Sequence, residues 1–173
     1  MRADCHMHTY FSGDSEAKPE DMVLAAIDKG LEAICFTDHE DIDYFCDDIE
    51  FVFDPETYFK ELGALKEKYK EKLDIRIGVE FGLQPHLAKQ AKAFTTANPY
   101  DFVIGSMHVV GGKDPYYPEF FEGISDEEAY RMALRETIAD IRAVGDFDVI
   151  GHLDYAIVWR YFSWTNQTLA MIV

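Results

Sequence analysis

Short apolar runs alternate with longer amphipathic stretches along this chain. The runs Ala3–His6, Ala33–Thr37, Ile75–Glu80, Phe102–Met107 and Val149–Leu153 are brief and β-rich. Runs of this kind suit strands buried on both faces of a parallel sheet. The stretches between them carry helical periodicity. Pro19–Lys29 opens on proline and stops before Gly30, with Met22, Val23, Ala26 and Ile27 as its apolar stripe. Pro55–Lys72 places Tyr58, Phe59, Leu62, Leu65 and Tyr69 at helical spacing. Pro85–Ala97 is shorter and mixed, and ends before Asn98-Pro99. Ser125–Val144 begins with a capping box, Ser125 and Glu128, and presents Ala129, Met132, Ile138, Ile141 and Val144 on one face. Strand-helix alternation predicts an α/β fold, a parallel sheet with helices outside it, open or closed into a barrel.

Five β-units are legible before the chain stops, whereas a closed (β/α) barrel takes about 250 residues. The last strand is therefore expected to leave an open edge. The apolar tail Ile157–Val173, with Trp159, Phe162, Trp164, Leu169, Met171, Ile172 and Val173, reads as an interrupted element. Residues 1–173 are expected to form a single domain.

Composition narrows the function classes. Apolar residues make up 48% and charged residues 28%, as in a soluble globular protein. No apolar run approaches the ~18 residues of a membrane span. The first residues carry no apolar signal core. The formal net charge of -17 disfavours a nucleic-acid partner and suits cations. Three cysteines without a CxxC pair point to reduced thiols in a cytoplasmic protein, with Cys5 and Cys35 expected to be buried inside strands. The stretch Glu40–Pro55 holds seven acidic residues and no basic one, which reads as a solvated acidic loop. Its aromatics Tyr44, Phe45, Phe51 and Phe53 argue that part of it packs.

The histidines carry the chemistry. Five of six lie at or just past the C-terminal ends of expected strands: His6 and His8, His39, His108 and His152. The third strand ends in Glu80. Active sites of α/β sheets and barrels form on that rim. In an extended strand, residues i and i+2 share a face, so His6 and His8 can reach one cation. Imidazole nitrogen and carboxylate oxygen both suit zinc, iron or manganese, and the two oxygens of Glu80 can bridge two ions. Asp14, on the loop after HxH, can reach the same face. Each residue alone has a structural reading: a cap for Glu80, a turn for Asp14 in Gly13-Asp14-Ser15, and surface for His86. Asp38 reads as structural, and Asp154 as orienting an imidazole. The joint pattern is what points to metal.

The chain resembles the PHP (polymerase and histidinol phosphatase) family, and most closely its histidinol-phosphatase branch. The resemblance covers residues 1–155 and rests on Asp4-Cys5-His6-Met7-His8-Thr9, Phe36-Thr37-Asp38-His39, Gly78-Val79-Glu80, Gly105-Ser106-Met107-His108 and Val149-Ile150-Gly151-His152-Leu153-Asp154, with Gly112–Phe120 also similar. It implies a distorted (β/α)7 barrel holding two or three divalent ions. His6 and His8 would hold the first ion, and Glu80 would bridge it to the second. His108 and His152 would complete the second site, while Asp14 and His39 would belong to a third. A late Asp-x-His motif that finishes the first and third sites in the family does not occur after His152. The chain is thus expected to be a PHP barrel lacking its final β-units.

The activity so implied is metal-dependent hydrolysis of a small phosphate monoester, histidinol phosphate of histidine biosynthesis. Arg160 could clamp the phosphate or be an ordinary surface arginine, and Tyr117 is a weaker candidate for substrate contact. Two rivals stay open: a partial metal-binding fragment without turnover, self-associating through the open edge, and a PHP-type nuclease, which the acidic charge disfavours.

Overall fold

The computed structural model describes residues 2–45 and 50–162, with side chains through Arg160. Cys46 and the expected apolar tail beyond residue 162 lie outside the described residues, as does the side chain of Phe162. The strands are β1 (Ala3–Met7), β2 (Ala33–Phe36), β3 (His39–Glu40), β4 (Asp74–Gly82), β5 (Phe102–Ser106) and β6 (Val149–Ile150). The helices are α1 (Pro19–Asp28), α2 (Pro55–Tyr69), α3 (Ala88–Ala97), α4 (Asp126–Ala143) and α5 (Tyr155–Phe162). Every strand pairing is parallel, in the order β1-β2-β4-β5-β6, with β3 added against β4.

Alternation along β4 divides the fold into an outer and an inner side. Ile75, Ile77 and Phe81 face outward and are buried. Ile34 and Phe36 stand opposite Ile75 and Ile77, and together they meet Val23 and Ala26 of α1 and Tyr58, Leu62 and Leu65 of α2. Phe81 packs with Leu83, Ala91 of α3 and Val144. The helices thus cover one face of the sheet, and the other face carries Glu80 and Gly82. One-sided cover is the arrangement of a (β/α) barrel rather than of a doubly wound sheet. The fold is an incomplete, distorted barrel of this kind.

The expected strand Ala33–Thr37 forms as β2, ending at Phe36, and a further short strand, β3, follows after a two-residue break. Ile34 pairs with Ile75 in β2, and His39 pairs with Glu80 in β3, so both run along β4. Side-chain hydrogen bonds cause the break by drawing Thr37 and Asp38 toward the first strand and its loop. Thr37 accepts the Met7 N–H at 3.1 Å. Asp38 Oδ1 accepts the Thr9 N–H (2.5 Å), the Thr9 hydroxyl (3.0 Å) and the Ser12 hydroxyl (2.9 Å). Asp38 is fully buried and has the structural role expected of it.

Other boundaries shift in readable ways. α1 opens on Pro19 and ends before Gly30, whose φ of 68° lies in the left-handed region that glycine adopts without strain. Asp54 caps α2 by accepting the Thr57 N–H at 3.0 Å. Pro85–Leu87 form a turn of 3-10 helix ahead of α3. Ser125 caps α4 through the Glu128 N–H (3.2 Å), but the Glu128 carboxylate reaches Arg135. The predicted stripe of α4 is only partly right. Ala129, Ala133, Thr137 and Asp140 are buried, while Ile138 and Ile141 are exposed. This helix docks through small side chains beside Met107, Phe120 and Phe121, which turns its larger aliphatics outward. Cys35 is buried as expected, and burial pushes its thiol up to about 12. Cys5 is exposed instead, because β1 is the edge strand of the sheet.

Tyr58 ties the core to the rim. Its ring is fully buried, and its hydroxyl donates to the Gly78 carbonyl at 3.1 Å and accepts the Asp38 N–H at 3.4 Å. Tyr58→Phe leaves both backbone groups buried without that partner, at a cost of about 1–3 kcal/mol. Urea unfolding should show a lowered midpoint with an unchanged slope.

Candidate metal centre

Four strand ends and one loop meet at Glu80. Its carboxylate is 0% exposed and sits on the inner side of β4, next to His39 of β3 and two residues before Gly82. The bulge between Asp4 and Met7 in β1 ends at the HxH pair. His108 follows β5, and His152 follows β6 after Gly151, whose N–H is bonded to the Gly105 carbonyl at 2.9 Å. A side chain on Gly151 would overlap the Ser106 hydroxyl, so glycine is what lets β6 close against β5 here.

The two oxygens of Glu80 face different sets of imidazoles. Oε2 lies 3.0 Å from His6 Nε2, 3.0 Å from His8 Nε2 and 3.4 Å from His39 Nδ1. Oε1 lies 2.9 Å from His152 Nε2 and 3.3 Å from His108 Nε2, and accepts the Ser106 hydroxyl at 2.6 Å. Asp14 reaches the other side of the group, 3.8 Å from His8 Nδ1 and 3.6 Å from His39 Nε2. The structure thus brings together His6, His8, Asp14, His39, Glu80, His108 and His152. Their ligand atoms form compact triads, among them His6-His8-Glu80, His8-Asp14-His39 and Glu80-His108-His152, each within 4.8 Å.

The electrostatics follow from crowding. Burial opposes ionisation of Glu80, but His108, His152 and His6 outweigh it and hold the carboxyl well below the usual carboxylate range. Burial opposes protonation of His8, yet Asp14 and Glu80 raise it to about 10. Burial likewise opposes protonation of His108, and Asp41 with Glu80 overcomes it. Asp14 is buried enough to disfavour its charge, but His39 and His8 hold its carboxyl below the ordinary range.

This donor set fits divalent cations. A carboxylate offers about four lone-pair positions. Five imidazole nitrogens and one hydroxyl crowd those of Glu80. His8 Nε2, His39 Nδ1 and His152 Nδ1 are buried without a hydrogen-bond partner among the described residues. Cations between nitrogen lone pairs and carboxylate oxygens satisfy both at once.

Three further placements bear on the expectations. Asp41 was hidden in the acidic run read as a solvated loop. Glu40 and Asp41 are in fact buried, and Asp41 Oδ2 lies 2.8 Å from His108 Nδ1 and 3.6 Å from His39 Nδ1. His39-Glu40-Asp41 has the same i, i+2 spacing as HxH, and that signal could have found it. Asp154, expected to orient an imidazole, is exposed at the head of α5, where its carbonyl accepts the Ile157 and Val158 N–H groups. Asp114 joins the rim by accepting the Tyr155 hydroxyl at 3.1 Å and that of Tyr44, while the Tyr155 ring lies 5.2 Å from His152 and 5.3 Å from His108.

The two expected substrate contacts, Arg160 and Tyr117, are engaged with neighbouring side chains. Arg160 is on α5, where its Nε donates to Asp126 at 2.7 Å and its guanidinium sits 4.8 Å over the Phe121 ring. Tyr117 is half-buried and packs edge-on to Tyr116, which in turn meets Trp159 of α5 at 4.5 Å. His86 is exposed beside Asp43, as its surface reading expects.

The chain is similar to known proteins. The model of the PHP domain matches residues 4–171. The histidinol-phosphatase of Lactococcus lactis is 35% identical over 169 residues, which is 97% of this chain and 61% of that protein. A Clostridium acetobutylicum protein named "Probable histidinol-phosphatase" is 33% identical over 95% of this chain and 61% of its own length. The Lactococcus lactis histidinol phosphate phosphatase, solved with zinc, L-histidinol and phosphate, superposes with a TM-score of 0.85 over 90% of this chain and 59% of that one. A Listeria monocytogenes structure, 22% identical, shares the fold with a TM-score of 0.80 over 93% of this chain and 70% of its own. The chain thus spans about 60% of the length of the curated relatives it matches. Its sheet, its rim of imidazoles and the match over residues 4–171 lead to one conclusion: this chain belongs to the PHP family.

Proposed function

We propose that this chain carries the metal centre of a phosphomonoester hydrolase acting on histidinol phosphate. The observation that carries the reading is Glu80, fully buried and divided between two sets of imidazoles. His6, His8 and Glu80 would hold one ion, and Glu80, His108 and His152 would hold a second. Asp14 and His39 would hold a third. Divalent ions such as zinc, manganese or iron supply Lewis acidity toward phosphoryl oxygens and acidify a water for attack on phosphorus. The residues do the rest. Glu80 fixes the spacing of the two sites, since both of its oxygens are anchored. Ser106 holds Oε1 in place through its hydroxyl. Arg160 binds phosphate as a planar donor, which requires it to turn from Asp126. Tyr117 lines the substrate side.

The ligand complex of the Lactococcus lactis relative supports this substrate. Residues 1–173 act as one PHP domain of a cytoplasmic enzyme. A second reading is that these residues bind metal without turnover. In that reading the strand edges of the sheet pair with a second copy.

Phosphate release from histidinol phosphate with added zinc or manganese separates the two readings, since only the first predicts turnover. Glu80→Gln should abolish the activity and remove most bound metal, measured by elemental analysis. Full metal content in that variant would sink both. Metal removal has its own signature. With metal chelated away, His8 and His108 keep raised pKa values, so the stability they contribute is present below an unfolded value of about 6.5. It is lost as pH rises through the folded values, which for His8 is about 10. Glu80 has the opposite sign: its contribution stands above about pH 4.3 and is lost on acidification. Thermal melts of the chelated protein should therefore fall from pH 6.5 toward pH 10, and added zinc should restore them.

A further inference from the structure

We infer that Asp41 is a positioning residue of this centre, holding His108 from behind so that its outer nitrogen faces Glu80. The inference rests on the metal-hydrolase reading and adds a residue to it. Asp41 Oδ2 lies 2.8 Å from His108 Nδ1, a hydrogen-bond distance with the imidazole N–H donating. The same oxygen lies 3.6 Å from His39 Nδ1, beyond hydrogen-bond distance, and that nitrogen is 3.4 Å from Glu80 Oε2. The opposite nitrogens look elsewhere. His108 Nε2 faces Glu80 Oε1 at 3.3 Å, and His39 Nε2 faces Asp14 at 3.6 Å. The carboxylate therefore stands behind one donor of the Glu80-His108-His152 triad and, at longer range, beside His39. By accepting an N–H at Nδ1, it leaves the Nε2 lone pair of a neutral imidazole free for a cation.

The fold makes room for this carboxylate. Asp41 follows β3 directly and sits on the inner side with His39. Its backbone N–H donates to the Phe51 carbonyl at 2.6 Å, and its side chain is buried. A β-carbon at Gly82 would overlap Asp41 Oδ1. Glycine at 82 is thus required by the close approach of Asp41 to β4, not by its own turn. A buried carboxylate given space by a glycine and bonded to an imidazole is a built feature rather than an incidental contact.

Asp41→Ala and the near-isosteric Asp41→Asn test it in the 173-residue chain. Zinc affinity is measured by chelator competition, and zinc per chain at saturation by elemental analysis. Removal of an orienting partner costs about 10- to 100-fold in metal affinity. We expect Asp41→Ala to weaken zinc by that factor with the number of ions at saturation unchanged. Asp41→Asn, whose amide oxygen can still accept the N–H, should recover part of the loss. One fewer ion at saturation in both variants makes Asp41 a ligand and overturns the proposal, as does wild-type affinity in both. A second readout needs no metal. In the chelated wild type, the His108 Nδ1–H should give a low-field proton resonance, kept in Asp41→Asn and lost in Asp41→Ala. Its absence from wild type overturns the proposal. If Asp41→Ala does not fold, Asp41→Asn decides by its stoichiometry and its resonance. A wild-type chain that takes up no zinc but shows the resonance defeats the hydrolase reading and leaves the Asp41 contact standing.

Discussion

A carboxylate withdrawn completely from water must have its charge answered nearby, or it does not stay ionised. Glu80 sets that constraint here. Its place on the inner side of β4 cannot be given up without breaking the register that seats Ile75, Ile77 and Phe81 against the helices, because a one-residue slip would turn every side chain to the opposite face. The packing of the outer layer and the position of the buried charge are thus the same fact seen from two sides. The imidazoles and the Ser106 hydroxyl gather where they do because each adjoining strand runs parallel and ends at the same rim.

The rim is also braced from below. Tyr58 sends its hydroxyl from the α2 side to the Gly78 carbonyl and the Asp38 N–H. Asp38 in turn gathers Thr9 and Ser12. None of these groups carries a donor nitrogen of the centre, yet they decide where His39 and the first loop sit. Precision at the centre is therefore distributed over hydrogen bonds that are buried and neutral apart from Asp38.

Much of this was legible in the residues, for reasons that can be stated. The strand-end histidines were readable because parallel strands leave one rim for chemistry, and the i, i+2 spacing of His6 and His8 needs only strand geometry. The buried face of α2 was readable because Tyr58, Leu62 and Leu65 follow the helical period. What escaped had physical causes. Asp38 takes its partners from residues 26 to 29 positions away, so no local pattern announces the break between β2 and β3. Asp41 sat in an acidic run whose composition suits solvent, and only its pairing partners show it to be internal. On α4 the stripe was right at Ala129 and Val144 but not at Ile138 and Ile141. Small residues allow a close approach that large ones forbid, so Ala129 and Ala133 face in while Ile138 faces out. The exposure of Cys5 depends on which strand lies at the sheet edge, which is a property of topology.

The Asp38 knot has one more consequence. Ser12 gives its hydroxyl proton to Asp38 and accepts the His39 N–H at 3.0 Å, so the loop that bears Asp14 and the strand that bears His39 share a single fastening. The two donors that face each other across that triad cannot drift separately. Exposed positions of the loop, such as Gly13 and Ala17's neighbour Glu16, should accept wide mutational variety without cost to the site, provided Thr9, Ser12 and Asp38 stay. Variation would then be absorbed at the periphery of the loop, while loss of any one member of the knot would loosen both donors together.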